Sequence, residues 1–154
     1  TEWFSEWPPQ SRSLAPGRKQ VADILAREVE RLGDASKVFL GGSSQGCILG
    51  LDVFVRSPHD LGGFCGILGY WPRCSNEALA SMRPQLKLRP VQLVNGQKDT
   101  VVNCDEARAS FQELRTAGMT LNAIEVAKMD HHAGEAEGQY LRIFLEKVLP
   151  GPQK

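Results

Sequence analysis

The sequence has no excess of charge of either sign and no long apolar run. Its 154 residues include 18 basic and 18 acidic side chains, so the formal net charge at pH 7 is zero. Balanced charge gives no electrostatic reason to bind nucleic acid or an acidic lipid surface. No apolar stretch approaches the roughly 18 residues that a membrane-spanning helix needs. We therefore expect neither a nucleic acid partner nor an integral membrane segment.

Cysteine is scarce and has no metal-binding spacing. The chain has four cysteines, and none forms a C-x-x-C pair. Their separation suits neither a zinc site nor a disulfide framework, so we expect no bound metal. Cys47 and Cys65 lie in apolar stretches and are predicted to be buried free thiols. Since we also expect no signal peptide and no targeting stretch, the sequence favours a reducing compartment, by default the cytosol.

Apolar periodicity alternates between strand and helix along the chain. Helices are predicted at residues 17–32, 47–56, 78–82, 105–117 and 134–149. Short apolar strands are predicted between them, at residues 38–41, 64–69, 90–94 and 120–126. Such alternation is typical of βαβ units. The sequence predicts an α/β fold with a mainly parallel sheet of about four strands, helices on both faces and an irregular lead-in over residues 1–16.

The segment G-S-S-Q-G at residues 42–46 fits the pattern G-x-S-x-G between a strand and a helix. In that context the central serine lies on a sharp turn with its hydroxyl exposed above the sheet. Side chains at positions 42 and 46 would be expected to collide with the neighbouring strand or helix. Ser44 is therefore the candidate nucleophile. A glycine-rich turn without chemistry is the alternative for the motif alone.

An aspartate and a histidine follow later strands. Asp99 lies in the polar turn after the third strand, and His131 follows the fourth. Since the carboxyl ends of parallel strands meet at one edge of a sheet, both side chains are expected near Ser44. The chain order Ser, Asp, His is that of α/β-hydrolases. A serine nucleophile needs an imidazole as base and a carboxylate that orients the imidazole.

Each of these residues also has an interpretation without catalysis. Asp99 is of a type that commonly forms turns. His131 and His132 together resemble a fragment of a metal site, but no third ligand with suitable spacing is evident. His59 lies in a proline-containing loop before the second strand, which is the wrong place for the base, and we expect it to be solvated.

The chain resembles the phospholipase/carboxylesterase family of α/β-hydrolases, which contains acyl-protein thioesterases, lysophospholipases and small carboxylesterases. The family motif G-F-S-Q-G stands here as G-S-S-Q-G, and the family segment G-x-x-D-x-x-V as G-Q-K-D-T-V-V at residues 96–102. The family histidine precedes a glutamate and a closing F-I/L-x-K-x-L-P helix. These are matched by Glu137 and by F-L-E-K-V-L-P at residues 144–150, which favours His131 over His132.

The resemblance implies a serine hydrolase that cleaves carboxylic esters or fatty-acyl thioesters, including palmitoylated protein cysteines, without a cofactor. It implies that Ser44, Asp99 and His131 are the catalytic residues. It also implies that the backbone N–H of Gln45 stabilises the oxyanion.

Two weaker matches concern the substrate. W-F-S at residues 3–5 and G-Y-W-P at residues 69–72 resemble family segments near the acyl pocket. The resemblance therefore implies that Trp3, Phe4 and Trp71 bind substrate. Packing in the core or in a lid is the alternative for all three.

The family begins with further strands, one of them followed by an H-G-x-G loop, and nothing similar precedes Trp3. We expect residues 1–154 to form one domain that corresponds to the C-terminal part of the fold, in a longer protein or in a shortened relative. The second oxyanion donor would come from the loop that is not found here. The nucleophile strand would have an unpaired apolar edge, which we expect the region of Trp3 and Trp7 to cover.

These expectations leave other functions open. One is a catalytically impaired hydrolase-like domain that binds a partner or forms a homodimer through the sheet edge. Another is a peptidase of the same fold, which uses the same three residues. A peptidase would need a cap or propeller domain, for which this chain has no room.

Overall fold

The computed structural model of the chain describes residues 2–132 and 134–149. Four strands form one sheet in chain order: β1 (Phe39–Ser43), β2 (Gly63–Ile67), β3 (Val91–Gly96) and β4 (Leu121–Val126). Every neighbouring pair is parallel. The predicted α/β fold with a parallel sheet is confirmed, and the carboxyl ends of all four strands lie at one edge.

Helices precede and connect the strands. They are α1 (Ser11–Leu32), α2 (Gln45–Arg56), α3 (Asn76–Ser81), α4 (Pro84–Lys87), α5 (Cys104–Thr116) and α6 (Glu135–Val148). Short 3₁₀ turns occupy Ala35–Lys37 and Arg73–Ser75. Within the described residues, none of these helices is both long and apolar enough to cross a lipid bilayer.

The two faces of the sheet are covered unequally. The larger core packs Phe64 and Leu93 against side chains of α1, α2 and α5. On the other face, Ile67 and Val94 pack against α6. The side-chain Nε2 of Gln92 also donates a hydrogen bond of 3.0 Å to a backbone carbonyl of α6. Both faces therefore carry helices, as a parallel sheet requires, and among the helices described here α6 is the one that packs on the second face.

The first helix begins earlier than its apolar periodicity predicts. The expected lead-in extended to residue 16, whereas α1 starts at Ser11 and continues through Pro16. Gln10 closes the first turn, because its N–H donates to Ser13 Oγ at 3.0 Å. Leu14 is fully buried, and its packing stabilises a segment that proline alone would interrupt.

The short α4 was not predicted, although Pro84 at its first position is a known start signal.

Strand β1 is an edge strand and is less buried than expected. We predicted a buried strand here, but Gly41 is exposed and its neighbours are only half-buried. The reason is the strand order, which gives β1 one partner, β2. The expected strand at 64–69 also ends earlier, at Ile67, because Leu68 adopts a φ of 55° and turns the chain out of the sheet.

The aromatic residues of the N-terminal segment cover this edge only in part. Trp3 lies beside β1 and borders a shallow cavity with Leu40 and Gly42. Trp7 instead stacks on Phe4 and contacts the edge of Tyr70. No backbone hydrogen bond joins residues 2–16 to β1. The expected cover therefore consists of the Trp3 side chain alone, and the backbone of β1 stays unpaired on that side within the described residues.

A buried carboxylate joins α1 to α2. The Asp52 side chain is 0% exposed and accepts hydrogen bonds from Arg18 Nε at 2.6 Å and from Arg56 Nε at 2.9 Å. Both arginines are mostly buried, so solvent screens these contacts poorly. The Arg18–Asp52 pair fixes the helix that follows the candidate nucleophile against the N-terminal helix, and the Asp52–Arg56 pair lies within α2 itself.

We predict that Asp52→Ala lowers the free energy of unfolding by about 2–4 kcal/mol, because two guanidinium groups lose their buried partner. Asp23→Ala is the matched control, since Asp23 forms an exposed pair with Lys19 at the same distance of 2.6 Å. That change should cost less than about 1 kcal/mol. Urea unfolding followed by circular dichroism measures both values. Equal losses in the two variants would show that the buried pairs do not stabilise the helix packing.

Candidate active site

Ser44 lies at the junction of β1 and α2 in a strained backbone conformation. Its φ is 53° and its ψ is −121°, values that residues other than glycine rarely adopt. The Ser44 N–H donates to the carbonyl of Ile67 at 2.9 Å, and its carbonyl accepts from the N–H of Cys47 at 3.0 Å. The strained residue is thus fixed on one side by β2 and on the other by the first turn of α2. This is the sharp strand-to-helix turn that the motif predicts.

The two glycines of the motif have different surroundings. A Cβ added to Gly42 would meet the backbone of Gly46 and would lie 2.9 Å from the amide nitrogen of Cys47. The expected collision at position 42 is therefore present. At Gly46 the nearest atom to an added Cβ is Nε1 of Trp3, at 3.8 Å. The prediction of a collision at position 46 is wrong, because α2 turns this residue toward the N-terminal segment and not toward a neighbouring strand.

The structure brings Ser44, His131 and Asp99 together in a line of hydrogen bonds. Ser44 Oγ lies 2.9 Å from His131 Nε2, and His131 Nδ1 lies 2.8 Å from Asp99 Oδ2. The imidazole is 17% exposed and the carboxylate 0%. With its proton on Nδ1, the imidazole donates to Asp99 and offers Nε2 as acceptor to the Ser44 hydroxyl.

Asp99 uses its two carboxylate oxygens for different purposes. Oδ1 accepts from the N–H groups of Val101 and Val102, both at 2.8 Å, and thereby closes the turn. Oδ2 is left to face the imidazole of His131. The turn-forming role and the histidine-orienting role that the sequence left open are thus compatible, since one oxygen serves each.

The Asp99 turn and the His131 loop are joined by their backbones. Lys98 N–H donates to the carbonyl of Met129, and Gln97 N–H to that of Val126, each at 3.0 Å. A Cβ added to Gly96 would collide with the Met129 backbone, so only glycine permits this approach. The loop that carries His131 is therefore positioned by the turn that carries Asp99.

The other two histidines do not reach Ser44. His132 is exposed, and its N–H donates to Asp130 Oδ1 at 2.8 Å within its own loop. His59 is half-buried, not fully solvated as expected, and lies in the loop that leads into β2. That loop is at the amino ends of the strands, opposite Ser44. Of the three histidines, His131 is the one that lies within hydrogen-bond distance of the Ser44 hydroxyl.

Gln45 holds the N-terminal segment against this site. Its Oε1 accepts from the Trp3 N–H at 2.9 Å, and its Nε2 donates to the Phe4 carbonyl at 3.1 Å. Sequence reasoning did not foresee this side-chain role, although the glutamine is the distinctive residue of the motif. The backbone N–H of Gln45 belongs to the first turn of α2, where N–H groups have no acceptor within the helix. It is thereby available beside Ser44, at the positive end of the helix dipole.

The three aromatic residues predicted to bind substrate lie in separate places. Trp3 lies beside β1, and Phe4 is a core residue with 4% exposure. Trp71 is fully buried, and its indole N–H donates to Asn76 Oδ1 at 2.6 Å. Of the three, Trp71 borders a cavity of about 710 Å³. Its other walls include Trp7, Tyr70, Val101 and Glu106.

Cysteine and metal chemistry are not evident at this site. Burial raises the pKa of the Cys47 thiol far above its usual value, so Cys47 stays protonated although it lies near Ser44. Burial also raises the pKa of Cys65 to about 11. All four cysteines are free, and Cys47 and Cys65 are buried as predicted. Within residues 2–132 and 134–149, no group of three or more potential ligands is arranged to hold a metal ion.

One polar contact beside the site was not predicted. Ser43, which directly precedes Ser44, donates its hydroxyl proton to Glu137 Oε1 at 2.7 Å. The two residues are 94 positions apart. No local sequence pattern indicates such a pair, because it depends on how α6 packs on the sheet.

Known proteins match both the sequence and the fold. A Dictyostelium discoideum protein named acyl-protein thioesterase 1 homolog 2 is 28% identical over 138 residues, which are 89% of this chain and 61% of that protein. A rice protein named a probable inactive carboxylesterase is 28% identical over 131 residues, which are 85% of this chain and 53% of that protein. The chain thus spans less than two thirds of the length of these curated relatives.

A solved structure shows the same fold. The crystal structure of SOBER1 from Arabidopsis thaliana superimposes with a TM-score of 0.86 at 23% identity, over 97% of this chain and 74% of that one. The sequence model described as phospholipase/carboxylesterase matches residues 5–149, nearly the whole chain. This protein therefore belongs to the phospholipase/carboxylesterase family of α/β-hydrolases.

Proposed function

We propose that this protein is a serine hydrolase that cleaves carboxylic esters or fatty-acyl thioesters through an acyl-enzyme at Ser44. The observation that carries the proposal is the line of two hydrogen bonds from Ser44 through His131 to Asp99, at 2.9 and 2.8 Å. A strained nucleophile turn and membership of the family support it. Names of relatives as acyl-protein thioesterase and carboxylesterase support the choice of acyl substrates.

The reaction proceeds in two halves. Ser44 Oγ attacks the acyl carbonyl while His131 Nε2 takes the hydroxyl proton, and the same nitrogen then protonates the departing alcohol or thiol. In the second half, water attacks the acyl-enzyme and gives a proton to His131, which passes it to Ser44 Oγ as the carboxylic acid leaves. Asp99 holds the tautomer of His131 and stabilises the imidazolium that forms in each half. No cofactor takes part in this proposed sequence.

The oxyanion that forms in each half needs hydrogen-bond donors. The backbone N–H of Gln45 is the donor that we assign. Hydrolases of this fold use a second N–H from a loop after an earlier strand. One such donor is typically worth about 10²–10³ in rate.

We propose the cavity beside Trp71 as the site for the acyl chain. Its volume of about 710 Å³ lies within the usual range for small-molecule pockets. Val101 connects this cavity with the Asp99 turn, because it lines the cavity while its N–H donates to Asp99. Because Trp71 is fully buried, its proposed role is to support the wall of this cavity, whereas Trp3 and Phe4 would support the site through their contacts with Gln45. As a separate point, we propose a cytosolic location, with which the four free thiols are consistent.

A second candidate function is that of a catalytically impaired domain that forms a homodimer through β1. The exposed Gly41 and the unpaired backbone edge favour it, because such edges readily pair with another chain. This dimer would make the amides of residues 39–42 exchange more slowly as protein concentration rises. Exchange rates that are independent of concentration, together with a monomeric mass by sedimentation, would exclude it.

We predict that a fluorophosphonate probe labels Ser44 once per chain, and that Ser44→Ala abolishes labelling. His131→Ala should slow labelling by about 10³-fold or more, because the hydroxyl then has no base. His132→Ala is the matched control and should leave the rate unchanged, since His132 is exposed and bonded within its own loop. Mass spectrometry of peptides locates the label. A folded sample without label at Ser44 would contradict the enzyme and favour the impaired domain.

A more conservative change tests the carboxylate. We predict that Asp99→Asn slows acylation by an activated nitrophenyl ester by about 10²–10⁴-fold. The amide oxygen can still accept from Val101 and Val102, but the charge that stabilises the imidazolium is lost. Stopped-flow absorbance measures the rate. A loss of less than about fivefold would mean that Asp99 only closes the turn.

A further inference from the structure

We propose that Ser43 and Glu137 form a positioning pair that sets the distance between Ser44 and His131. The inference rests on the proposed function, because it concerns the geometry of the same site. Ser43 Oγ donates to Glu137 Oε1 at 2.7 Å. Among the described residues, neither side chain forms a hydrogen bond with the side chain of Ser44, His131 or Asp99, so the pair acts through the segments that carry Ser44 and His131.

The pair joins the two segments whose side chains must meet. Ser43 is the last residue of β1 and directly precedes the nucleophile. Glu137 lies in the first turn of α6, which begins shortly after the His131 loop. A bond between these two residues therefore constrains the nucleophile turn and the histidine loop at the point where they approach one another.

The two halves of the site are held by different contacts. The Asp99 turn and the His131 loop share two backbone hydrogen bonds, and the Ser44 turn is bonded to β2 through Ile67. Between residues 42–46 and residues 127–132 or 134–149, the hydrogen bonds are the Ser44–His131 bond and the Ser43–Glu137 bond. The second of these is the one that can hold the distance while the first breaks and reforms during the reaction.

Apolar packing between β1 and α6 lies at the end of β1 that is far from Ser44. Phe39 and Ser43 lie on the same face of β1, and the Phe39 ring contacts Phe144 of α6 with ring centroids 6.2 Å apart. Between these two ends, β1 and α6 enclose an open groove of about 550 Å³, with exposed Leu141 on its wall. Because β1 is an edge strand, no further element fills the groove within the described residues. The polar pair is thus the contact between β1 and α6 that is nearest to Ser44.

Ser43 departs from the family motif, whereas Glu137 matches the family glutamate. The family motif G-F-S-Q-G has phenylalanine at the position of Ser43, and phenylalanine cannot donate a hydrogen bond. Here a small hydroxyl residue faces the carboxylate of Glu137 instead. Serine at position 43 without Glu137 would leave the edge of the site with neither aromatic packing nor a hydrogen bond.

The tests compare Glu137→Ala and Ser43→Ala with Glu137→Gln and with a control on the same helix turn. Each alanine variant should lower kcat for a nitrophenyl ester by about 10–100-fold, because a misplacement near 1 Å has that effect. KM should not change, since neither residue lines the cavity proposed for the acyl chain. The double variant should be no slower than either single one, as expected for partners in one interaction.

Two further variants separate positioning from charge and from stability. Glu137→Gln should stay within about threefold of the unmodified protein, because the amide oxygen still accepts from Ser43. Glu135→Ala is the control, since Glu135 is exposed in the same first turn and carries the same charge. It should leave kcat within about twofold. Ser43→Ala is the smallest change, and it alone tests the pair if Glu137→Ala does not fold.

Hydrogen exchange gives a readout that does not depend on turnover. Amides of residues 127–132 should exchange about tenfold faster in both alanine variants and at the original rate in Glu137→Gln and Glu135→Ala. If the protein does not label at Ser44, the proposed hydrolase fails, yet this exchange pattern still supports the pair. Unchanged exchange, or additive losses in the double variant, would overturn the pair while leaving the hydrolase intact.

Discussion

The structure depends on holding Ser44 in a left-handed backbone conformation at the end of an edge strand. Strain of this kind typically costs about 1–3 kcal/mol and persists only where the surroundings fix it. Here β2 accepts the Ser44 N–H, α2 donates to its carbonyl, and Gly42 permits the close approach of the helix. The ion pair of Asp52 with Arg18 in turn holds α2 against α1. The Ser44 hydroxyl is thus supported by contacts that reach well into the core.

Several polar residues near the Ser44 turn have more than one role. Asp99 closes its own loop with one oxygen and orients His131 with the other. Gln45 fastens the N-terminal segment with its side chain while its backbone N–H stays available to a developing oxyanion. Ser43 links the nucleophile strand to α6. A small sheet with an open edge can position reactive groups in this way, because each polar residue fixes a segment as well as a side chain.

The sequence predicts those features that local chemistry decides. The G-x-S-x-G turn, the order of strands and helices, and the placement of Asp99 and a histidine near Ser44 follow from motif, periodicity and the parallel topology. The preference for His131 over His132 follows from the family resemblance. Features that depend on neighbours were harder to predict. Burial of β1 was overestimated because the strand order leaves it at the edge. The start of α1 was placed too late because Leu14 packs into the core. The Ser43–Glu137 pair spans 94 positions, and no local pattern reveals it.

The central claim is that Ser44 carries the acyl group during the reaction. Rapid chemical quenching with a medium-chain acyl thioester, followed by mass measurement of the intact chain and its peptides, tests it most directly. The account predicts a burst of one acyl group per chain, attached at Ser44, that decays as carboxylic acid appears. Carboxylic acid released without any acyl group on Ser44, or an acyl group on another residue, would contradict it.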